Sequence, residues 1–455
     1  MADATARTFP VPAGLRWSAA TAAFQVEGAR SVDGRGRSIW DDFVDTDGLV
    51  RDGSSAEPGP DSYHRSEEDV ALLQGLGVDR YRFSISWVRV QPDGRGPAQP
   101  AGLAYYDRLV DRLLDAGIVP FPTLYHWDLP SPLEVGGGWL ARDTALRFAE
   151  YAEIVGAALG DRVENWYTIN EPVSTSLQGY AIGELAPRRQ LLFDSLPSVH
   201  HQLLAHGRAA DILRAYGATA VGIVNNHTWV QPATTSEADQ TAAHMYDLIH
   251  NRLFADPVLA GAYPDLDALG VEMPVRNGDL ELVSAASEFY GVNFYNPTTI
   301  AAAPEGAPVP FVQVPTPRVA HTGFGDLWGI QPSALTAFLT DAARRYGDRL
   351  PPVIIGENGA SFPEPDEVDG PIADTRRIEY LASHIGAVAD AVAQGVRIDE
   401  YTVWSLLDNF EWADGFTQRF GLVHVDQQTS KRTPKRSYDW YRALISEAKS
   451  ARARS

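Results

Sequence analysis

Residues 353–358 read Val353-Ile354-Ile355-Gly356-Glu357-Asn358, a run of β-branched side chains closed abruptly by a carboxyl and an amide. Further on, Ile378, Leu381, Ile385, Val388 and Val392 fall at i, i+3, i+7, i+10 and i+14, one stripe of a helix. Gly395 stands where a C′ glycine would end that helix. A strand followed by an amphipathic helix is half of a crossover, and crossovers build parallel sheets.

The same alternation runs in both directions along the chain. Strand-like runs begin near Trp17 (WSAATAAFQ), Arg80 (RYRFSIS), Val119 (VPFPTLY) and Trp166 (WYTIN). Others begin near Val221 (VGIVNN), Phe289 (FYGVNFY), Val353 (VIIGEN) and Tyr401 (YTVWSLL). Between them, Leu103, Tyr106, Val110 and Leu113 repeat a helical stripe before Gly117. Asp143 occupies an N-cap position ahead of a helix through Phe148, Ile154 and Val155 to Gly160. Eight strands alternating with helices predict an α/β fold closed into a (β/α)₈ barrel, with its binding site at the C-terminal ends of the strands. No Ser/Gly linker, composition break or internal repeat divides the chain, so residues 1–455 read as a single domain with a barrel core of about 14–445. Two irregular stretches, Arg30–Pro60 and Ala301–Thr322, are expected on the site-bearing side.

Composition excludes several functions. The 38 basic residues are outnumbered by 59 acidic ones, and the formal charge of −21 would repel nucleic acid and anionic membrane. With no cysteine, the chain has no disulfide, thiolate metal site or cysteine nucleophile. Met1–Gly14 carries no apolar run of signal-peptide length, and cytoplasmic residence is the resulting expectation. The 11 Trp and 18 Tyr offer flat faces for sugar rings, or equally for filling a large core.

The polar punctuation of the strands carries the functional argument. Read to its end, each strand but one presents a hydrogen-bonding or aromatic group: Gln25, Arg82, His126 with Trp127, Asn170 with Glu171, Tyr295, Glu357 with Asn358, and Trp404. Any one alone could be a solvated strand end; the set, arriving in phase, points to one mouth. Glu171 and Glu357 lie on the fourth and seventh strands, so only barrel closure would pair them. Two carboxyls can protonate a departing glycosidic oxygen and stabilise an oxocarbenium-like centre from opposite sides. Trp166 and Tyr167 near Glu171 suggest an apolar setting that raises its pKa, while Arg82 and Tyr295 would hold Glu357 ionised. His200 and His201 open a helix, where packing is the ordinary role. No second ligand completes a metal motif with His126, so neither a metal nor another cofactor is expected.

The ordered motifs resemble glycoside hydrolase family 1, in particular its bacterial β-glucosidases, from Trp17 to about Tyr441. TxNEP stands as Thr168-Ile169-Asn170-Glu171-Pro172, and the nucleophile motif as Ile355-Gly356-Glu357-Asn358-Gly359, with Gly356 where Thr is common. AAFQVEGA (22–29), YRFSISW (81–87), HWDLP (126–130) and WSLLDNFEWADGF (404–416) complete the set. The resemblance implies a retaining β-glycosidase with Glu171 as acid/base and Glu357 as nucleophile. It implies that Gln25, His126, Trp127, Glu411 and Trp412 hold the terminal sugar, that Asn170 bonds its 2-hydroxyl, and that Trp404 forms the floor. Arg82 and Tyr295 would orient the nucleophile, and Trp328 would stand at the aglycone entrance. Leu327 replaces a usual Gly and Ser131 a usual Gln; Asp408 and Asn409 read as structural.

The implied substrates are β-glucosides and cello-oligosaccharides, losing terminal β-D-glucosyl groups as in cellulose degradation. Galactose or fucose preference within the same family is an alternative, as is a catalytically inactive sugar-binding relative. A metal-dependent amidohydrolase would need an H-x-H pair on its first strand, which WSAATAAFQ lacks. A carboxylate at Glu411 would repel a 6-phosphosugar. The sequence leaves oligomeric state open.

Overall fold

The run Arg80-Tyr81-Arg82-Phe83-Ser84 shows how the barrel is assembled. Successive side chains of a strand face opposite ways, and here the arginines turn inward. Arg80 meets Glu400 at 3.0 Å and Arg82 meets Glu357 at 2.6 Å, across the barrel. Tyr81 faces the helices outside, where its hydroxyl meets Thr21 Oγ1 at 2.5 Å.

The computed structural model describes residues 12, 14–267, 270–285, 287–365 and 370–454. Apart from residues 12 and 14, the N-terminal stretch Met1–Gly14 lies outside them. Eight strands form the barrel: β1 (Arg16–Ala20), β2 (Arg80–Ser84), β3 (Val119–Tyr125), β4 (Asn165–Asn170), β5 (Ala220–His227), β6 (Tyr290–Phe294), β7 (Val353–Asn358) and β8 (Ile398–Trp404). Each pairs in parallel with its sequence neighbours, and β8 closes onto β1 from Arg16↔Glu400 to Ala20↔Trp404. All eight lie where the sequence predicts them, and the (β/α)₈ expectation holds.

Helices follow the strands in turn. Thr375–Ala393 buries Ile378, Leu381, Ile385 and Val388, with Gly395 at φ +93° just beyond. Pro100–Asp115 buries Tyr106, Val110 and Leu113 ahead of Gly117, at φ +73°. One boundary differs from the reading. The helix Arg142–Leu159 is capped at Ala141, because a 3₁₀ turn, Gly138–Leu140, feeds straight into it. Asp143 lies in the first turn instead, beside Arg147 at 3.1 Å, where a carboxylate favours the helix dipole.

The barrel interior is layered. Arg80, Glu400 and Asn165 form a polar base. Above them Phe121 and Tyr167 stack at 4.4 Å, with Arg80 lying 5.0 Å from the Phe121 ring and Arg82 4.7 Å from the Tyr167 ring. The upper layer is polar again and opens to the site.

Both irregular stretches lie around that opening. Arg30–Pro60 contains a short helix, Ile39–Val44, with a capping box between Ser38 and Asp41. It also joins the loop after β8 through Arg51 N–H to Ala413 O at 2.8 Å. Ala301–Thr322 is not wholly irregular. Thr298–Ala302 pairs antiparallel with Phe311–Val314 and parallel with Val230–Pro232, a small sheet whose strands are too short to stand out among Pro and Ala. Among the described residues no helix is long and apolar enough to cross a membrane.

The buried base pair gives a test of the barrel. Glu400 is fully buried, and removing its partner in Arg80→Met leaves an uncompensated charge, which costs about 3–5 kcal/mol. Burial already pushes the Glu400 carboxyl up. Protonation at lower pH should therefore relieve part of the loss, and denaturant titrations at pH 7 and pH 5 should show the smaller deficit at pH 5.

Candidate active site

Arg82 is placed by the period of β2 and is 1% exposed. Its guanidinium donates to Glu357 Oε1 at 2.6 Å, Gly356 O at 3.0 Å, Asn170 Oδ1 at 2.6 Å and Thr123 Oγ1 at 3.3 Å. The other Glu357 oxygen accepts from the Tyr295 hydroxyl at 2.6 Å. Asn358 beneath is structural, donating to Phe294 O and accepting from Tyr401, both at 2.6 Å, so that β7 ends in fixed register between its neighbours.

Asn170 closes β4 and donates to His126 Nε2 at 3.0 Å. Burial, and then the charge of Arg82, push His126 well below its ordinary range, so its ring is neutral. With Nε2 accepting, Nδ1 carries the proton.

Glu171 follows at φ +46°, a left-handed conformation rare for a side chain of this size, with its N–H bonded to Val224 O at 2.8 Å. Its Oε1 accepts from Asn293 at 2.8 Å and Asn226 at 3.1 Å, and its Oε2 from Ser174 Oγ at 2.8 Å. Burial and then the nearby charge of Glu357 raise this carboxyl to about 7, against the donors that pull it down. The cause differs from the sequence reading: Tyr167 belongs to the aromatic layer below, and the Trp166 indole donates to Val163 O.

Around this pair lies a cavity of about 180 Å³, lined by His126, Trp127, Asn170, Tyr295, Trp404, Glu411 and Trp412 together with the two glutamates. His126 stacks toward Trp404 at 5.8 Å, and Trp127 packs on Trp412 at 4.6 Å. Gln25 is not on a strand. β1 stops at Ala20, and Gln25 sits in a short helix, Ala23–Val26, donating to Asn409 Oδ1 and Phe410 O at 3.0 Å and to Glu411 Oε2 at 3.3 Å. Arg82 likewise lies within its strand, two residues below the end. Burial, then Asp414, Glu357 and Glu171, push Glu411 well above the carboxylate range.

A second, larger cavity of about 430 Å³ opens on the far side of Glu171 and shares Ser174, Gln178, Asn226 and Trp328 with the first. Its walls include Leu177, Ile182, Phe193, Ile249, Phe311 and Leu327, and Phe324 stacks on Trp328 at 4.3 Å.

Three contributors were not among the expected residues. Asn293 lies two positions before Tyr295, hence on the same face, and Asn226 ends the strand VGIVNN, so both carried a signal in their parity and place. Ser174 carried none. His200 and His201 are structural: His200 bonds Asp279 at 2.9 Å, and His201 bonds Trp139 O at 2.9 Å. Asp408 holds Gly421 N and Lys435, each at 2.8 Å, and Lys435 also meets Glu364 at 2.6 Å. Ser131 donates to Asp42 at 2.5 Å.

Gly356 has a steric reason. A Cβ there would stand 2.8 Å from both Asn293 Oδ1 and a Val224 methyl. Gly356→Ala should therefore displace Asn293 from Glu171 and lose about 1–3 kcal/mol of stability to overpacking. A crystal structure of the variant with the Asn293–Glu171 bond intact, and an unchanged denaturation midpoint, would refute this.

The model of glycosyl hydrolase family 1 matches residues 7–450. Beta-glucosidase A of Thermotoga maritima is 39% identical over 95% of this chain and 97% of its own length. A bifunctional β-D-glucosidase/β-D-fucosidase of Bifidobacterium breve is 39% identical over 97% of this chain and 99% of its own. Among solved structures, the psychrophilic β-glucosidase BglU of Micrococcus antarcticus superposes with a TM-score of 0.92 at 42% identity, covering 98% of this chain and 99% of that one.

Proposed function

The chain belongs to glycosyl hydrolase family 1, and we propose that it is a retaining β-glucosidase in which Glu357 is the nucleophile and Glu171 the acid and base. One observation carries this reading: two carboxyls on one cavity have opposite surroundings. Glu357 is gripped by a guanidinium and a phenol, while Glu171 is raised to about 7 by burial and by its neighbour. A carboxylate that attacks and a carboxylic acid that donates is the division retaining hydrolysis requires.

In this reading the terminal glucosyl ring lies on Trp404, with Asn170 at its 2-hydroxyl and His126, Gln25, Glu411 and Trp412 around O3, O4 and O6. Glu357 attacks the anomeric carbon while Glu171 protonates the departing oxygen, leaving a covalent glycosyl-enzyme. Having given up its proton, Glu171 is left as the carboxylate, and esterification removes the Glu357 charge, the second cause of its raised pKa, which favours that form. Glu171 then deprotonates the incoming water, whose oxygen displaces Glu357.

The aglycone occupies the larger cavity beyond Trp328. Its apolar walls support glucosides with aromatic or other apolar aglycones, alongside cello-oligosaccharides. β-Fucosides form a second substrate class, a reading favoured by the B. breve relative, since the two sugars differ around O4 and O6.

Two measurements test the assignment. Glu357→Ala should be nearly inactive on every β-glucoside. Glu171→Ala should accumulate intermediate with a dinitrophenyl β-glucoside, and azide should release it as the β-glycosyl azide. Rescue of neither variant, or an α-azide from Glu171→Ala, contradicts the roles. In the native enzyme kcat/KM needs Glu171 protonated, so it should fall as pH rises through about 7.

Leu327, which is 37% exposed on the outer wall, tests the aglycone reading. Leu327→Gly should lower kcat/KM for an octyl β-glucoside several-fold while leaving cellobiose within about twofold, burial of a leucine side chain being worth roughly 1.5–3 kcal/mol when complete. Equal losses on both substrates would remove the outer cavity from aglycone selection.

A further inference from the structure

We propose that Ser174 is a positioning residue for Glu171, its hydroxyl donating to Oε2 and so favouring the ionised form that the second step needs. The inference rests on the acid and base role proposed above for Glu171.

The argument begins with the unequal treatment of the two carboxyl oxygens. Oε1 receives two amide N–H groups, from Asn293 at 2.8 Å and Asn226 at 3.1 Å. An amide N–H can only donate, so a proton on Oε1 would face two donors. Oε1 is therefore the carbonyl oxygen of the acid, and the proton belongs to Oε2. The bond given to Oε2 comes from Ser174 Oγ, at 2.8 Å. A hydroxyl can donate or accept, so it can follow Oε2 through both protonation states.

The attachment of Ser174 makes this a fixed contact. Its backbone N–H bonds Glu171 O at 3.0 Å, and Pro172 lies between the two residues. Ser174 opens a π-helical turn, Ser174–Ala181, and lines both cavities, so its hydroxyl stands where the sugar cavity meets the outer one. The donor acts on the anion of Glu171 and lowers its pKa, as do Asn293 and Asn226.

The charges around Glu171 come from several elements. Glu357 faces it from β7 and Glu411 from the loop after β8. Arg82 on β2 is linked to it through Asn170 and Asn293, neutral His126 follows β3, and the Tyr295 phenol follows β6. None of these changes when Ser174 is replaced. A shift in titration would thus report the hydroxyl.

The test compares Ser174→Ala, Ser174→Val and Ser174→Thr, the last two differing only in the hydroxyl. In the Ala and Val variants the alkaline limb of kcat/KM should rise by about one pH unit, since a hydrogen bond to a charged group is lost. Below that limb, kcat should fall about tenfold on a dinitrophenyl β-glucoside, whose second step limits turnover. It should change less than about twofold on an alkyl β-glucoside, whose first step limits. Ser174→Thr should keep the native limb and both rates. An unmoved limb in the Ala variant, equal losses on both substrates, or a Thr variant that behaves like Val overturns the inference. Azide rescue of Glu171→Ala alongside any of those results overturns it alone. Failure of that rescue overturns the role of Glu171, and this inference with it.

Discussion

Burying a guanidinium at the mouth of a barrel is favourable only if its donors are met, because an unpaired buried charge is far costlier than a paired one. Arg82 meets that constraint by reaching four strands: its own, Thr123 on β3, Asn170 on β4, and Gly356 with Glu357 on β7. The Tyr167 ring lies 4.7 Å from it. Site assembly and barrel closure thereby become one event. The strands cannot slip in register without stranding the cation, and Glu357 cannot leave it without exposing an acidic cluster to itself.

The same cation divides the two glutamates. Glu357 takes the charge contact directly, whereas Glu171 receives only neutral donors, so burial and like charge prevail in its titration. The backbone contributes as well. Trp127 at φ +79°, Glu171 at φ +46° and Trp412 at φ +52° all lie in the left-handed region, which side chains of their size seldom adopt. Each is held by its surroundings: the Trp127 indole donates to Asn170 O at 3.1 Å, Glu171 N–H to Val224 O, and Trp412 packs on Trp40 at 4.4 Å. At these three positions the backbone helps set the direction of a side chain that lines the inner cavity.

Period two and period 3.6 are local properties, so every barrel strand and the helices Pro100–Asp115, Arg142–Leu159 and Thr375–Ala393 were legible in the sequence. Places where two local rules compete were not. Asp143 has the chemistry of an N-cap, yet a preceding 3₁₀ turn starts the helix one residue before it. Gln25 ends a strand-like run, but the strand stops at Ala20 and a helical turn carries the residue to Glu411. Motifs brought most of the site together because they fix strand ends. Asn226 and Asn293 were readable only by parity. Ser174 was not readable at all, since its role depends on a π-turn that nothing in Val173-Ser174-Thr175 announces. The pKa of Glu171 was anticipated in direction, but its cause lay in burial and a carboxyl 186 positions along the chain rather than in neighbouring aromatics.

The two cavities differ in how freely their walls can vary. Around the inner one, side chains satisfy one another: Gln25 needs Asn409, which bonds Ser405, and Asn170 needs Arg82, His126 and Asn293. Replacing one member leaves buried partners unmet, at about 1–3 kcal/mol for each, so such a wall changes as a unit or not at all. The outer walls at Ile182, Phe193 and Leu327 work by contact area, and Ile182 and Leu327 are partly exposed. A single substitution there alters shape without orphaning a polar group. Leu327 stands on the outer wall. Gly356, beneath the inner cavity, is tolerated because Val224 and Asn293 close over the missing side chain. On the proposed reading, sugar recognition is tied to the fold, while aglycone recognition can drift one residue at a time.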